Sequence, residues 1–116
     1  MARTTIPTET DPLERMARIG KALSDPGRLR ILAAVKGREL CVCHLVDLLE
    51  LDQSTVSRHV RALRDAGLVA VRKEGRWLHC RRASGMAVVW KAVDALLEGA
   101  EVLAQDEARF AADDCC

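Results

Sequence analysis

Apolar residues recur at intervals of three and four along most of the chain, and the interval drops to two only between residues 69 and 82. Leu13, Met16, Gly20 and Leu23 mark an amphipathic first helix from Pro12 to about Ser24, preceded by an arm, residues 1–11, without apolar period. Asp25-Pro26 opens a second helix. The aspartate can accept from the free amides of the first turn, and proline at the first helical position forfeits no hydrogen bond. This helix runs to about Lys36, with Leu29, Leu32 and Val35 facing the core and Gly37 as its stop. A short third helix spans about Cys41 to Glu50 and buries Leu45, Leu48 and Leu49. Asp52 caps a fourth, Gln53 to Ala66, in which Val56, Val60 and Leu63 form the buried row and Gly67 the end.

Beyond Leu68 the alternation Val69/Val71 against Ala70/Arg72, then Trp77/His79/Arg81 against Leu78/Cys80/Arg82, reads as two strands turning near Glu74-Gly75. A last helix, about Ser84 to Phe110, carries an apolar seam from Met86 to Ala104. So long a seam exceeds what one small core covers, and with the first helix it predicts a homodimer interface. The expected fold is mainly α with a small β-hairpin: a dimeric winged helix-turn-helix domain over residues 12–110, with a cysteine-containing tail at 111–116.

The chain has 116 residues and a net charge of only +1, so one domain is expected and the total charge names no partner. Its distribution does. Residues 53–82 hold eight basic side chains against two acidic, a net +6, whereas 83–116 hold two against seven, a net −5. The reading helix presents Gln53, Ser54, Thr55, Ser57, Arg58, His59 and Arg61, and the wing tip presents Arg72, Lys73 and Arg76. Double-stranded operator DNA is the expected partner, with helix side chains in the major groove and the wing on phosphate or in the minor groove. No apolar run approaches the roughly 20 residues of a membrane span, and the polar start lacks the order of a secretory signal, so the expected location is the cytoplasm. No glycine-rich phosphate loop or nucleophile elbow suggests an enzyme, and no organic substrate is expected.

Five cysteines, an odd number in a helical chain, fit reactive or metal-binding thiols better than a disulfide scaffold. Cys41 and Cys43 stand where the third helix begins, beside Arg38, a setting that favours thiolate. Residues two apart on a helix point about 200° apart, so both sulfurs can grip one ion only if the first turn unwinds or lies outside the helix. Cys80 is expected as core filler, and His44 either as an exposed polar residue or as a nitrogen ligand. His59 and His79 are expected to be structural or to contact phosphate. A thiol sensor joined to a DNA-binding module is the leading reading; a thiol metal carrier or oxidoreductase would leave the reading helix and wing without a purpose.

Three strings, Glu39-Leu40-Cys41-Val42-Cys43-His44-Leu45, Asp52-Gln53-Ser54-Thr55-Val56-Ser57-Arg58-His59-Val60 and Arg72-Lys73-Glu74-Gly75-Arg76-Trp77-Leu78-His79, closely resemble the ArsR/SmtB metalloregulatory repressors over roughly Pro12 to Leu103. Within that family the chain is similar to the arsenic-responsive branch, whose third-helix motif is Glu-Leu-Cys-Val-Cys-Asp-Leu-Cys; here His44 replaces the Asp and Val46 the last Cys. The resemblance implies an operator-binding homodimer released by an inducer. The last helix lacks the His and Asp/Glu set of zinc- and nickel-sensing relatives, and the arm lacks the cysteines of cadmium- and lead-sensing ones. Soft, three-coordinate trivalent arsenic or antimony fits best. Cys115 and Cys116 then supply the missing sulfur, form a disulfide with Cys41 or Cys43, or belong to a frayed tail. A redox sensor of the same fold, closed by disulfide formation, is the alternative.

Overall fold

Apolar faces of four helices meet under one small sheet in the computed structural model, which describes residues 11–112. The order is α1 (Pro12–Ala22), α2 (Pro26–Ala34), β1 (Leu40–Cys41), α3 (Val42–Leu49), α4 (Gln53–Asp65), β2 (Val69–Glu74), β3 (Trp77–Arg82), α5 (Ala87–Leu97) and α6 (Glu101–Ala112). Both expected proline starts form as capped turns. Asp11 accepts the Leu13 amide at 3.1 Å and Asp25 the Arg28 amide at 3.2 Å. Asp52 holds the N-cap position of α4 without bonding its amides; its carboxylate accepts from the Ser54 hydroxyl at 2.7 Å instead.

Ile31, Leu32 and Val35 of the α2 segment, Leu45 of α3, Val56 and Leu63 of α4, Leu68 and Cys80 are fully buried and make one core. The turn between α3 and α4 passes through Glu50 at φ 57° and ψ 39°, the left-handed region, where a side chain carries a steric cost and glycine does not. That turn sets the angle between α3 and α4.

The expected hairpin forms, β2 pairing antiparallel with β3, and Leu40 and Cys41 add a short third strand beside it, giving the order β1-β3-β2 with Cys41 and Arg72 both opposite His79. The last helix needs correction, because it is not continuous. Glu98 turns to extended backbone and Gly99 takes φ +86°, a conformation suited to glycine, so α5 ends at Leu97 and α6 restarts at Glu101. Instead of prolonging one seam, α6 folds back onto α2 and α3. Arg30 holds Asp106 with two hydrogen bonds, 2.9 and 2.7 Å, and Arg109 donates to the Leu48 and Asp47 carbonyls at 2.9 and 3.1 Å. Leu13, Val88 and Leu96, at 81, 83 and 84% exposed, leave α1 and α5 with apolar side chains that this subunit does not cover.

Candidate thiol site and nucleic-acid interface

Cys41 serves three elements at once. It closes β1, paired across the sheet with His79, and it is the N-cap of α3, where its sulfur accepts the Cys43 amide at 3.3 Å. Because Cys41 is extended at φ −68° and ψ 147°, it lies outside the helix, and the 200° divergence of helical neighbours does not apply. The Cys41 and Cys43 sulfurs approach to 2.7 Å without unwinding any turn. Cys41 is buried and Cys43 half-buried; Cys41 and Cys80 are free, whereas Cys43 is disulfide-bonded. Cys115 and Cys116 lie outside the described residues. Among the described residues no three His, Cys, Asp or Glu side chains are gathered to hold a metal ion.

Cys80 occupies the core, and burial pushes its thiol up to about 12, which keeps it protonated and unreactive at neutral pH. His44 is half-buried rather than exposed. Arg38, expected beside the thiols, is directed elsewhere: it donates to the Ala34 carbonyl at 2.7 Å and pairs with Glu107 of α6.

The two thiol positions open on a cleft of about 200 Å³ whose other walls come from α3, α4 and the wing. Val42 and Val46 of α3, Gln53 and Ser57 of α4, and Arg76, Trp77 and Leu78 of the wing complete it. Val46, the residue in place of a third cysteine, is thus an apolar wall of the same cleft. No sequence signal joined the wing to the thiols; only the sheet pairing through β1 brings them together.

On α4, Gln53, Ser54, Ser57, Arg58 and Arg61 are exposed, with Thr55 half-buried and accepting from Arg58 at 3.3 Å. His59 faces the other way. Its Nε2 lies 3.5 Å from Asp25 and its Nδ1 3.4 Å from Arg28, seating α4 against the start of α2. Gly27 permits that seat, since a Cβ there would sit 3.1 Å from His59 Nε2.

At the wing, Lys73 and Arg76 are exposed, and the Arg76 guanidinium stacks 5.0 Å from the Trp77 ring centroid. Arg72 is held by carboxylates on both sides, Glu39 at 2.7 Å and Glu74 at 3.2 Å. The Arg72 guanidinium keeps the Glu39 carboxyl below the usual carboxylate range. Arg82, counted in the basic block, turns inward to the Leu32 carbonyl at 3.0 Å, to Asp94 at 3.0 and 2.8 Å, and over the Trp90 ring at 4.6 Å.

Residues 25–71 match a family described as "Bacterial regulatory protein, arsR family". An uncharacterized HTH-type transcriptional regulator of Methanocaldococcus jannaschii is 45% identical over 65 residues, 55% of this chain and 73% of that protein. The arsenic resistance transcriptional regulator ArsR1 of Pseudomonas putida is 41% identical over 80 residues, 68% of this chain and 60% of that one. The homodimeric winged helix-turn-helix domain of a possible ArsR-family regulator from Mycobacterium bovis superimposes with a TM-score of 0.69 at 28% identity, covering 87% of this chain and 94% of that domain. The architecture is therefore the winged helix-turn-helix.

Proposed function

Because the chain belongs to the ArsR family of bacterial regulatory proteins, we propose that it is a homodimeric, operator-binding repressor whose release is governed by chemistry at Cys41 and Cys43. The observation that carries this reading is the shared cleft: the thiol pair, the start of the reading helix and the wing line one space. Gln53, Ser54, Thr55, Ser57, Arg58 and Arg61 address the major groove, and Lys73 and Arg76 the flanking phosphates or minor groove. Two such heads, related by a two-fold axis through α1 and α5, would suit a palindromic site. None of the described helices is long and apolar enough to cross a membrane.

The inducer of this reading is trivalent arsenic or antimony. Arsenous acid exchanges two hydroxyls for the reduced Cys41 and Cys43 sulfurs, releasing two waters; the third hydroxyl stays or yields to a further thiol, which we assign to Cys115 or Cys116. Arsenical specificity draws support from the likeness to the Pseudomonas putida regulator and from soft-ligand chemistry. Since Cys41 caps α3, a bond at its sulfur withdraws the acceptor from the Cys43 amide and loosens the helix that supports the reader. An occupant of the cleft also meets Gln53, Ser57 and Arg76, which DNA would otherwise engage.

A second reading is favoured by the disulfide at Cys43. In that reading Cys43 and a second thiol, which we propose to be Cys115 or Cys116, give up two protons and two electrons to an oxidant. The test is operator binding by the reduced protein, titrated separately with sodium arsenite and with diamide as thiol oxidant. Release by arsenite that Cys41→Ser and Cys43→Ser each abolish, with DNA binding retained, supports the arsenical reading. Release by diamide alone selects the redox reading. Full response in both single variants rejects the thiol site.

A further inference from the structure

Glu39 and Arg72 are 33 positions apart and meet across the sheet. The Arg72 Nε lies 3.2 Å from both Glu39 oxygens and its terminal nitrogen 2.7 Å from one of them. Glu74 holds the opposite nitrogen at 3.2 Å and also lies 3.5 Å from His79. Glu39 stands two residues ahead of Cys41, on the segment that becomes β1, whereas Arg72 is on β2, the outer wing strand. Between them runs β3, whose His79 is opposite both Cys41 and Arg72. A rung of three strands therefore links the thiol to the wing, and the ion pair closes it from the side.

We infer that Arg72 is a positioning residue, and that its pair with Glu39 is a strap that transmits a change at Cys41 to the wing, leaving phosphate contact to Lys73 and Arg76. This deepens the proposed function and rests on it for the identity of the signal. A guanidinium between two carboxylates brings no net positive charge to a phosphate, and using it there would leave both acids facing DNA. Lys73 and Arg76 carry no such pairing with Glu39. Moreover β1 is only two residues long, so its attachment to the sheet depends on few backbone bonds and a side-chain strap matters correspondingly more.

The test uses the full chain, with wild type beside Glu39→Gln, Arg72→Gln, the double variant, Arg72→Lys and Lys73→Gln. Its first arm needs no inducer. The salt dependence of operator binding should keep its slope in Arg72→Gln and lose about 0.9 per subunit in Lys73→Gln. Amide exchange at Leu40 and Cys41 should quicken to the same extent in Glu39→Gln, Arg72→Gln and the double variant, with Arg72→Lys partly restored. In the second arm, the ratio of operator affinities without and with the effective probe, arsenite or diamide, should fall roughly 2- to 30-fold in each strap variant, and no further in the double.

A slope loss in Arg72→Gln equal to that of Lys73→Gln makes Arg72 a phosphate contact and overturns the assignment. Additive effects of the two single variants overturn the strap. If neither probe moves wild-type affinity, the proposed function fails, and slope and exchange still decide the role of Arg72.

Discussion

Cys41 shows how much one side chain can be asked to do, and its three duties separate by substitution. Serine keeps an oxygen acceptor at the N-cap and removes the soft ligand, whereas alanine removes both. Cys41→Ser should thus unfold near the wild-type midpoint in urea while losing the response, and Cys41→Ala should be about 1 kcal/mol less stable. Equal stabilities of the two variants would count against the cap. The position of this pair was legible in the sequence, because cysteines two apart beside a helix start are a local pattern. Its geometry was not. That Cys41 is strand rather than helix depends on pairing with His79, and nothing in residues 39–43 announces a partner so distant in the chain. Of the two roles expected for His59, structure or phosphate contact, its packing beside Asp25 and Gly27 favours the structural one, a choice that polar neighbours along the helix could not make.

Helices and strands fared differently. Capping residues and glycine stops located α1 to α4 to within two residues, since those signals act within one turn. The break between α5 and α6 was missed although Gly99 stood in view, because the apolar spacing runs on through it; Asp106 and Arg109, which fold α6 back, act through contacts with α2 and α3. The Arg30–Asp106 pair is well shielded, with side chains 24 and 8% exposed, so Asp106→Ala should cost about 2 kcal/mol and raise amide exchange in α6 before the core. The wing base offers a pH test. The Arg82 hydrogen bonds, with Lys36 nearby, lower the Asp94 carboxyl from its ordinary value. A depressed folded value stabilises the protein above the ordinary carboxylate range and loses that contribution as pH falls through it, below about pH 4. Acid unfolding followed by circular dichroism should therefore have a shallower pH dependence below pH 4 in Asp94→Asn than in wild type.

For the molecule as a whole, the fold class was legible because period and charge agree: a helical chain with one basic, period-two segment has few other arrangements. The dimer expectation survives the break in the seam on different grounds. Its first grounds were length, which the structure removes; what remains is Leu13, Val88 and Leu96 left uncovered on α1 and α5. Val93 is already buried within the subunit, so the outward residues of α5 are those available to a second copy. A carboxylate at Leu96 would be buried unpaired in such an interface at a cost of several kcal/mol. Leu96→Glu should therefore sediment as a monomer at micromolar concentration and lose operator affinity, with an unchanged far-ultraviolet spectrum. A variant that remains dimeric would move the interface away from α5.

Trp77 lines the thiol cleft, whereas Trp90, the other indole of the chain, is not part of that lining and donates through its Nε1 to the Ala83 carbonyl at 3.1 Å. The protein thus carries an intrinsic fluorophore at the proposed sensing site. In Trp90→Phe, emission reports on that cleft alone, and a change on adding arsenite or diamide would follow occupancy without DNA, label or dye.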